Sequence, residues 1–143
     1  RQFGMPSARN RILGLLLYLY DLDGFLNWGY NFWFTQHSLN WELDPYQDPE
    51  AGRAFCGGGA FMVYPGKDGP VDSLHYEVFA EGLQDLRALR LLESRIGRDA
   101  LLRLIREEAG EMPTIHRYPR ESEWLLRFRE RINTLLSEKS GNA

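Results

Sequence analysis

The alternation of short apolar runs with longer helical repeats is the feature that most constrains the fold of this chain. The predicted elements, in chain order, are a helix over 7–20, strands over 24–33 and 61–64, and helices over 72–94, 98–109 and 120–137. Strands that alternate with helices are typical of parallel βα units. Two such strands cannot form a stable parallel sheet alone, because a parallel sheet needs several strands and two covered faces. The sequence therefore predicts an α/β fold, namely the last βα units of a (β/α)8 TIM-type barrel followed by C-terminal helices.

The predicted barrel units and the helices after them divide the chain into two portions. Residues 1–94 are predicted to form the barrel units, and residues 95–143 a helical extension that packs on them. Gly97 and Gly110 are predicted to end the two helices that precede them, because glycine readily adopts the left-handed backbone that closes a helix. The chain begins at Arg1 instead of methionine. We therefore expect the N-terminal remainder of a longer chain to be a partner of these units.

The charge and the apolar runs of the chain argue against two classes of binding partner, nucleic acids and membranes. The chain has 143 residues, a formal net charge of −3 and a sequence pI near 5.6. Nucleic acid is not an expected partner, because binding to phosphates needs a basic surface. The longest apolar run, over 12–20, is too short to cross a bilayer, so a membrane is not an expected partner either. These properties favour a globular domain whose partner is a small molecule or another part of the same protein.

Cysteine and histidine usage argues against disulfide and metal chemistry. The single cysteine, Cys56, cannot form an internal disulfide, and low cysteine content slightly favours the cytoplasm. The histidines His37, His75 and His116 do not have the spacing of a metal site. No phosphate-binding glycine loop or dinucleotide fingerprint occurs. We expect neither a metal nor a cofactor.

Aromatic and amide side chains cluster in the segment 24–33. Aromatic faces stack on the apolar side of a sugar ring, and amide groups can both donate and accept hydrogen bonds to its hydroxyls. Working residues of a barrel lie at the carboxyl ends of its strands. The predicted substrate-binding residues are therefore Trp28, Tyr30, Asn31, Trp33 and, after the next strand, Tyr64. The alternative is an ordinary core strand filled by aromatic side chains. Either face of the strand could point inward, and we favour the face with Asn27, Gly29 and Asn31.

No carboxylate in the chain is a convincing catalytic residue, although a glycosidase ordinarily uses two. Asp21 and Asp23 precede the predicted strand, at the wrong end for catalysis in a barrel. Asp44 and Asp48 lie near prolines in a long loop, where carboxylates usually cap turns. The remaining acidic row is helical and is predicted to pair with arginines on the same helix. That row consists of Glu77, Glu81 and Asp85, and the predicted partners are Arg87 and Arg90.

Several motifs resemble the C-terminal part of the proteins grouped as glycoside hydrolase family 123. The most specific are the run Gly24-Phe25-Leu26-Asn27-Trp28-Gly29-Tyr30-Asn31 and the later turn Tyr64-Pro65-Gly66. Further similar runs lie at 5–11, 44–46, 73–77, 82–93 and 118–126. The resemblance therefore extends over nearly the whole chain.

This resemblance implies a carbohydrate substrate and a particular mechanism. It implies hydrolysis of terminal β-linked N-acetylgalactosamine on a (β/α)8 barrel, with retention, by a substrate-assisted route in which the sugar's acetamido oxygen attacks the anomeric carbon. An Asp orients the acetamido group and an adjacent Glu acts as acid and base. No Asp-Glu dipeptide occurs in this sequence, so the catalytic pair is expected upstream of Arg1 and this chain alone is expected to be inactive. The alternative is a non-catalytic carbohydrate-binding or structural domain.

Overall fold

The structure, a computed structural model, describes residues 6–33 and 43–140. The helices in these ranges are α1 (Ala8–Arg11), α2 (Leu13–Leu19), α3 (Leu74–Ile96), α4 (Arg98–Ala109) and α5 (Ser122–Ser140). The strands there are β1 (Val63–Gly66) and β2 (Gly69–Asp72), which form one sheet. The chain is thus a mixture of helices with a small sheet, as the predicted α/β class requires. Membership of a (β/α)8 barrel stays a prediction.

The main hydrophobic core lies between the helices, and α3 is its centre. Helices α1, α2, α4 and α5 all contact α3. Each helix contributes buried residues at the three- and four-residue spacing that places side chains on one face. These residues are Ala8, Ile12, Leu15, Leu17, Tyr18, Leu86, Ala88, Leu89, Leu92, Leu101, Ile105, Trp124, Leu125, Phe128 and Ile132. The extension after residue 95 therefore shares one core with the helices before it.

Short signals in the sequence set the ends of the helices. The Ser73 hydroxyl accepts a hydrogen bond from the backbone N–H of Tyr76 at 3.0 Å, which satisfies a free donor at the start of α3. Gly97, with φ 81°, ends α3, and Gly110, with φ 78°, ends α4. The predictions for both glycines are confirmed. The helix predicted over 7–20 is present as α1 and α2, which are separated at Ile12.

Helices α2 and α3 are in backbone contact where Gly14 faces Gly82. A Cβ atom placed on Gly14 would overlap the carbonyl group of Gly82. A Cβ atom placed on Gly82 would lie 2.9 Å from the carbonyl oxygen of Arg11. Side chains at either position would push the helices apart, so the two glycines permit the close approach that buries the apolar face of α2.

A buried charge cluster joins three helices. The Asp85 carboxylate on α3 accepts hydrogen bonds from Nε and Nη2 of Arg11 at 2.7 and 3.0 Å, and from Nη1 of Arg129 on α5 at 2.9 Å. The hydrogen bond to Asp85 raises the pKa of Arg11, against the opposing effect of burial. The Nη2 atom of Arg11 also lies 3.5 Å from the Oε2 atom of Glu81. We call Asp85, Arg11 and Arg129 the charge cluster.

The predicted pairing of Asp85 with arginines of its own helix is wrong. Asp85 is buried, whereas Arg87 and Arg90 are exposed positions of α3. Among the described residues, the ion pairs of Asp85 are with Arg11 and Arg129. Sequence spacing identifies neighbours on one helix, but Asp85 points away from that surface toward the junction of α1, α3 and α5.

The small sheet is an antiparallel hairpin. Val63 pairs with Asp72 and Gly66 with Gly69, and Lys67 and Asp68 form the turn between the strands. The strand predicted over 61–64 therefore starts two residues later, at Val63, and continues two residues further, to Gly66. Strand β2 was not predicted, because Gly69 and Pro70 are residues typical of a turn.

The strand predicted over 24–33 is wrong. This segment contains only an isolated antiparallel bridge between Asn31 and Phe61 within the described part of the chain. It also is not buried, since Leu26 is 87% exposed. The segment is interrupted by Gly24 and Gly29, and it meets β1 mainly through the side chain of Asn31. The question of which strand face points inward therefore does not arise in this structure.

Replacing Asp85 with Asn should destabilise the protein strongly. The change keeps the side-chain shape but leaves Arg11 and Arg129, whose side chains are 15% and 26% exposed, without their buried counter-charge. Breaking a buried ion pair costs about 3–5 kcal/mol of stability. Because both arginines are partly exposed, we expect the free energy of unfolding to fall by about 3 kcal/mol. Urea unfolding at neutral pH measures this loss. Glu107→Gln, on the exposed side of α4, is the matched control and should change stability by less than about 0.5 kcal/mol. Equal stabilities of the two variants would contradict a structural role for the charge cluster.

Candidate functional site

A group of aromatic side chains lies beside the hairpin, and we call it the aromatic cluster. Its members are Trp28, Phe32, Trp33, Tyr46, Phe55, Phe61 and Tyr64. Two segments of the chain supply it, namely 28–33 and 46–64. The cluster surrounds a small core of Ala51, Ala60 and Phe61 that is separate from the helical core. It is therefore a second packed unit, on which side chains can be held in fixed positions.

Trp28 is held against the aromatic cluster by a stacked ring. The Trp28 and Phe55 ring centroids are 4.6 Å apart and their planes differ by 14°. Phe32 meets both rings edge-on, with centroids 5.2 Å from Phe55 and 6.2 Å from Trp28. The indole nevertheless remains 48% exposed. One side of Trp28 is thus supported by Phe55, and a substantial part of the ring surface faces solvent.

Trp33 and Tyr64 are packed more deeply than Trp28. Both rings contact the fully buried Phe61, each with a centroid separation of 5.9 Å. The ring centroids of Tyr46 and Tyr64 are 5.3 Å apart. The Tyr46 hydroxyl donates a hydrogen bond to the Pro65 carbonyl at 2.8 Å. Burial raises the pKa of Tyr64, and the neighbouring Tyr46 raises it further. Tyr64 is therefore held neutral, as a hydroxyl that can donate a hydrogen bond.

Tyr30 and Asn31 are not members of the aromatic cluster, and both are hydrogen-bonded to the chain at the start of β1. Tyr30 is 57% exposed, and its backbone carbonyl accepts a hydrogen bond from Met62 N–H at 3.0 Å. The Asn31 Oδ1 atom accepts from the N–H groups of Met62 and Val63 at 2.9 and 3.2 Å, and Nδ2 donates to the Val63 carbonyl at 3.2 Å. The Asn31 side chain thus fastens the segment 28–33 to the start of β1. Its contact with a substrate stays a prediction.

The structure places the five predicted substrate-binding residues in the aromatic cluster or next to it. Trp28, Trp33 and Tyr64 belong to the aromatic cluster, and Tyr30 and Asn31 are joined to it through the backbone of Met62 and Val63. Sequence reasoning missed Phe55 and Tyr46. The length of the loop that contains them was the available signal, since long loops in compact domains are often functional. That loop was predicted over 35–60, and residues 35–42 lie outside the described residues.

The two loop carboxylates cap turns, as predicted. Asp44 Oδ1 accepts a hydrogen bond from the backbone N–H of Tyr46 at 2.9 Å. Asp48 Oδ2 accepts one from the N–H of Gly52 at 2.6 Å. Gly52 lies between Ala51 and Arg53, and all three have positive φ values, of 69°, 52° and 66° respectively. Asp44 and Asp48 therefore hold the tight turns that carry Tyr46 and Phe55 toward the cluster.

Residues 6–33 and 43–140 contain neither a metal-binding cluster nor a membrane-spanning helix. No group of three or more His, Cys, Asp or Glu residues there could hold a metal ion. No helix in that part of the chain is long and apolar enough to cross a membrane. Two concavities, of about 430 and 520 Å³, are lined by residues of the segment between α4 and α5 and by no member of the aromatic cluster, and the smaller one also reaches Pro6 and Arg9 at the start of α1. Trp28 and Tyr46, two members of the aromatic cluster, are 48% and 58% exposed, and we call the exposed side of the cluster the platform.

Comparison with known proteins identifies the family. The family model described as "Glycoside hydrolase 123, catalytic domain" matches residues 2–92. The match covers more than half of the chain, and the chain belongs to glycoside hydrolase family 123. This confirms the resemblance identified from the sequence motifs. A search of curated proteins found no match. The matched span contains the whole aromatic cluster, whereas α4 and α5 lie beyond it.

Replacing Asn31 with Ala should loosen the junction between the segment 28–33 and β1. The change removes the acceptor for Val63 N–H, one of the two acceptors for Met62 N–H, and the donor for the Val63 carbonyl, so we expect a loss of about 1–3 kcal/mol. Hydrogen exchange should show faster exchange at the amides of Met62 and Val63. Gln84→Ala, at an exposed position of α3, is the control for loss of a polar side chain. Unchanged amide protection in Asn31→Ala would show that the side chain does not fasten this segment.

Proposed function

We propose that this chain is the C-terminal portion of the catalytic domain of a glycoside hydrolase that acts on β-linked N-acetylhexosamine, with N-acetylgalactosamine as the sugar. Family membership supports the hydrolase class. The observation that carries the assignment of a sugar contact to this chain is the exposed face of Trp28, which is stacked on Phe55 from behind. A supported aromatic ring with an open face can stack on the apolar side of a pyranose without reorganising when the sugar binds.

The other predicted residues have separate roles in this proposal. Tyr30, beside Trp28 and exposed, provides a second aromatic contact and a hydroxyl for the sugar. Tyr64 and Trp33 form the base of the platform, and the neutral Tyr64 hydroxyl is available as a donor. Asn31 positions the platform through its bonds to β1. The residues of this chain thus bind and orient the sugar and shield one of its faces from water.

The chemical step is assigned to residues outside this chain. In the proposed substrate-assisted mechanism, the acetamido oxygen of the sugar attacks the anomeric carbon and the aglycone oxygen leaves with a proton from a Glu. An adjacent Asp orients the acetamido group, and water later opens the cyclic intermediate with retention. This is a known exception to the scheme with two protein carboxylates. No Asp-Glu dipeptide occurs in the sequence, and Asp44 and Asp48 are engaged in turns.

The N-terminal remainder of the protein is the proposed partner that completes the domain. Large apolar side chains are exposed around the hairpin and the segment before the aromatic cluster, although single exposed residues of this kind are normal. They are Leu22, Phe25, Leu26, Val71 and Leu74. Strands β1 and β2 form a sheet of two strands only, and so small a sheet needs further packing to be stable. A barrel wall provided by the remainder would cover this face and bring the catalytic pair toward the platform.

A non-catalytic carbohydrate-binding or structural domain is the alternative function. It is favoured by one observation, which is that the loop carboxylates nearest to the aromatic cluster in sequence serve as turn caps. A carbohydrate-binding domain would share the sugar platform but not the chemistry, whereas a structural domain would need neither. The alternative requires that the complete protein bind N-acetylhexosamine without hydrolysing it.

The 143-residue chain alone should not hydrolyse aryl β-N-acetylgalactosaminides, whereas the complete protein should. The reason is that the acid and the acetamido-orienting group are absent from this chain. Release of the aryl group, followed by absorbance with equal molar amounts of each protein, measures both activities. Turnover by the isolated chain would place the chemistry among its own carboxylates. Sugar binding without turnover by the complete protein would favour the non-catalytic alternative.

Trp28→Ala should weaken catalysis in the complete protein while leaving its stability largely unchanged. Loss of a stacking contact should lower kcat/KM by roughly ten- to a hundredfold, about 1–3 kcal/mol. Trp28→Phe should retain much of the activity because it keeps an aromatic face. The control is Leu26→Ala, which removes an exposed apolar side chain nearby. A large fall in melting temperature with unchanged kinetics would remove Trp28 from the substrate site, since loss of a buried Trp typically costs about 3–5 kcal/mol of stability.

A further inference from the structure

Tyr46 is a member of the aromatic cluster whose side chain is largely in solvent. It is 58% exposed, more than the 48% of Trp28. Its ring centroid lies 5.3 Å from that of Tyr64, and the two ring planes differ by 38°. Tyr64 and Phe55, the ring that supports Trp28, both pack against the small core around Phe61. The two exposed rings, Trp28 and Tyr46, are therefore each backed by an aromatic side chain of the same packed unit.

Hydrogen bonds at both ends of Tyr46 fix the position of its ring. Its backbone N–H donates to Asp44 Oδ1 at 2.9 Å, and the N–H of Asp48 donates to the Asp44 carbonyl at 2.8 Å, which closes the turn that carries it. Its hydroxyl donates to the Pro65 carbonyl of β1 at 2.8 Å. A tyrosine held in this way loses little further conformational freedom when a ligand binds.

The hydroxyl of Tyr46 is used inside the protein, so the ring is the part that a ligand can contact. An exposed tyrosine normally directs its polar tip into water and keeps its apolar body against the protein. In Tyr46 the tip is bonded to the Pro65 carbonyl, and more than half of the side chain is nevertheless in solvent. Aromatic surface of this kind can stack on the apolar side of a sugar ring.

A purely structural role is the alternative for Tyr46. Its hydrogen bond to Pro65 joins the loop before β1 to the hairpin, and this bond alone could explain the residue. The two roles depend on different parts of the side chain. A structural role requires the hydroxyl, whereas contact with a sugar requires the ring.

Trp28 and Tyr46 provide two separate aromatic contacts. Trp28 belongs to the segment 28–33, and Tyr46 belongs to the loop that precedes β1. Within residues 6–33 and 43–140, no ring contact joins the two side chains. The two rings can therefore serve two different sugar units of one glycan.

We propose that Tyr46 binds the sugar unit to which the terminal N-acetylgalactosamine is attached. This inference rests on the proposed function, in which Trp28 contacts the terminal sugar. A terminal sugar has one neighbour in the glycan, namely the unit whose oxygen leaves during hydrolysis. Stacking of that unit on Tyr46 would favour glycans over simple N-acetylgalactosaminides, because the second ring adds binding energy. Tyr46 is thereby assigned as a specificity-determining residue.

Hydrolysis of two substrates by the complete protein tests this assignment. The disaccharide of β-linked N-acetylgalactosamine on galactose has a second ring, and methyl β-N-acetylgalactosaminide has none. The measured quantity is the ratio of kcat/KM for the disaccharide to kcat/KM for the methyl glycoside. Comparing this ratio between a variant and the unchanged protein cancels the difference between the two leaving groups. Tyr46→Ala should lower the ratio about tenfold, because stacking on the second ring is lost. An unchanged ratio would overturn the proposal.

Tyr46→Phe separates contact with a sugar from a purely structural role. It keeps the ring and removes the bond to Pro65, so it should retain the ratio even where the melting temperature falls. An equal loss of the ratio in Tyr46→Phe and Tyr46→Ala would overturn the assignment to the ring. Tyr20→Ala removes an exposed tyrosine at the end of α2 and is the matched control, which should retain the ratio. Tyr46→Leu gives the same test if the alanine variant does not fold.

Trp28→Ala distinguishes failure of this inference from failure of the proposed function. It should lower kcat/KM for both substrates, because both contain the terminal sugar. A loss in Trp28→Ala together with an unchanged ratio in Tyr46→Ala would overturn the role of Tyr46 alone. Absence of hydrolysis of either substrate by the complete protein would contradict the proposed function, and the role of Tyr46 with it.

Discussion

The charge cluster at Asp85 is the interaction on which the arrangement of the helices depends. A buried carboxylate with two arginines from different helices has few alternative arrangements, because each unpaired charge would be costly in the interior. Arg11 and Asp85 lie inside the span matched by the family, whereas Arg129 lies beyond it. The cluster therefore fixes the helical extension to the matched part of the chain. The close contact of Gly14 with Gly82 sets the distance between α2 and α3 in the same region.

The aromatic cluster is attached to this frame indirectly, through β2 and α3. Strand β2 ends at Asp72 and α3 begins at Leu74, so Ser73 alone separates the hairpin from the central helix. The segment 28–33 reaches the hairpin through Asn31, and the turns capped by Asp44 and Asp48 bring Tyr46 and Phe55 to it. The candidate sugar platform is thus supported by short polar contacts around a small apolar core. Such contacts hold the exposed face of Trp28 in a defined position.

The sequence was sufficient to predict what depends on local periodicity. Helices α3, α4 and α5 were predicted because their apolar residues recur at helical spacing, and Gly97 and Gly110 mark the ends of α3 and α4. The strand over 24–33 was wrong because aromatic residues favour both strands and packed irregular segments, and only pairing partners distinguish the two. The partners of Asp85 and the stack of Phe55 on Trp28 join residues far apart in sequence. Tertiary packing decides such contacts, and the spacing of residues along the chain does not encode them.

If Trp28 contacts the sugar of a substrate-assisted hydrolase, an NMR titration of the complete protein should detect the contact. The ligand is a thiazoline analogue of N-acetylgalactosamine, which mimics the cyclic intermediate formed by the acetamido group. The indole N–H signals report each tryptophan separately. Trp124 is the internal control, because it is buried and its indole N–H donates a hydrogen bond to the Glu108 carbonyl. We expect a saturable shift of the Trp28 signal with no change at Trp124. Tight binding of the analogue with an unmoved Trp28 signal would contradict it.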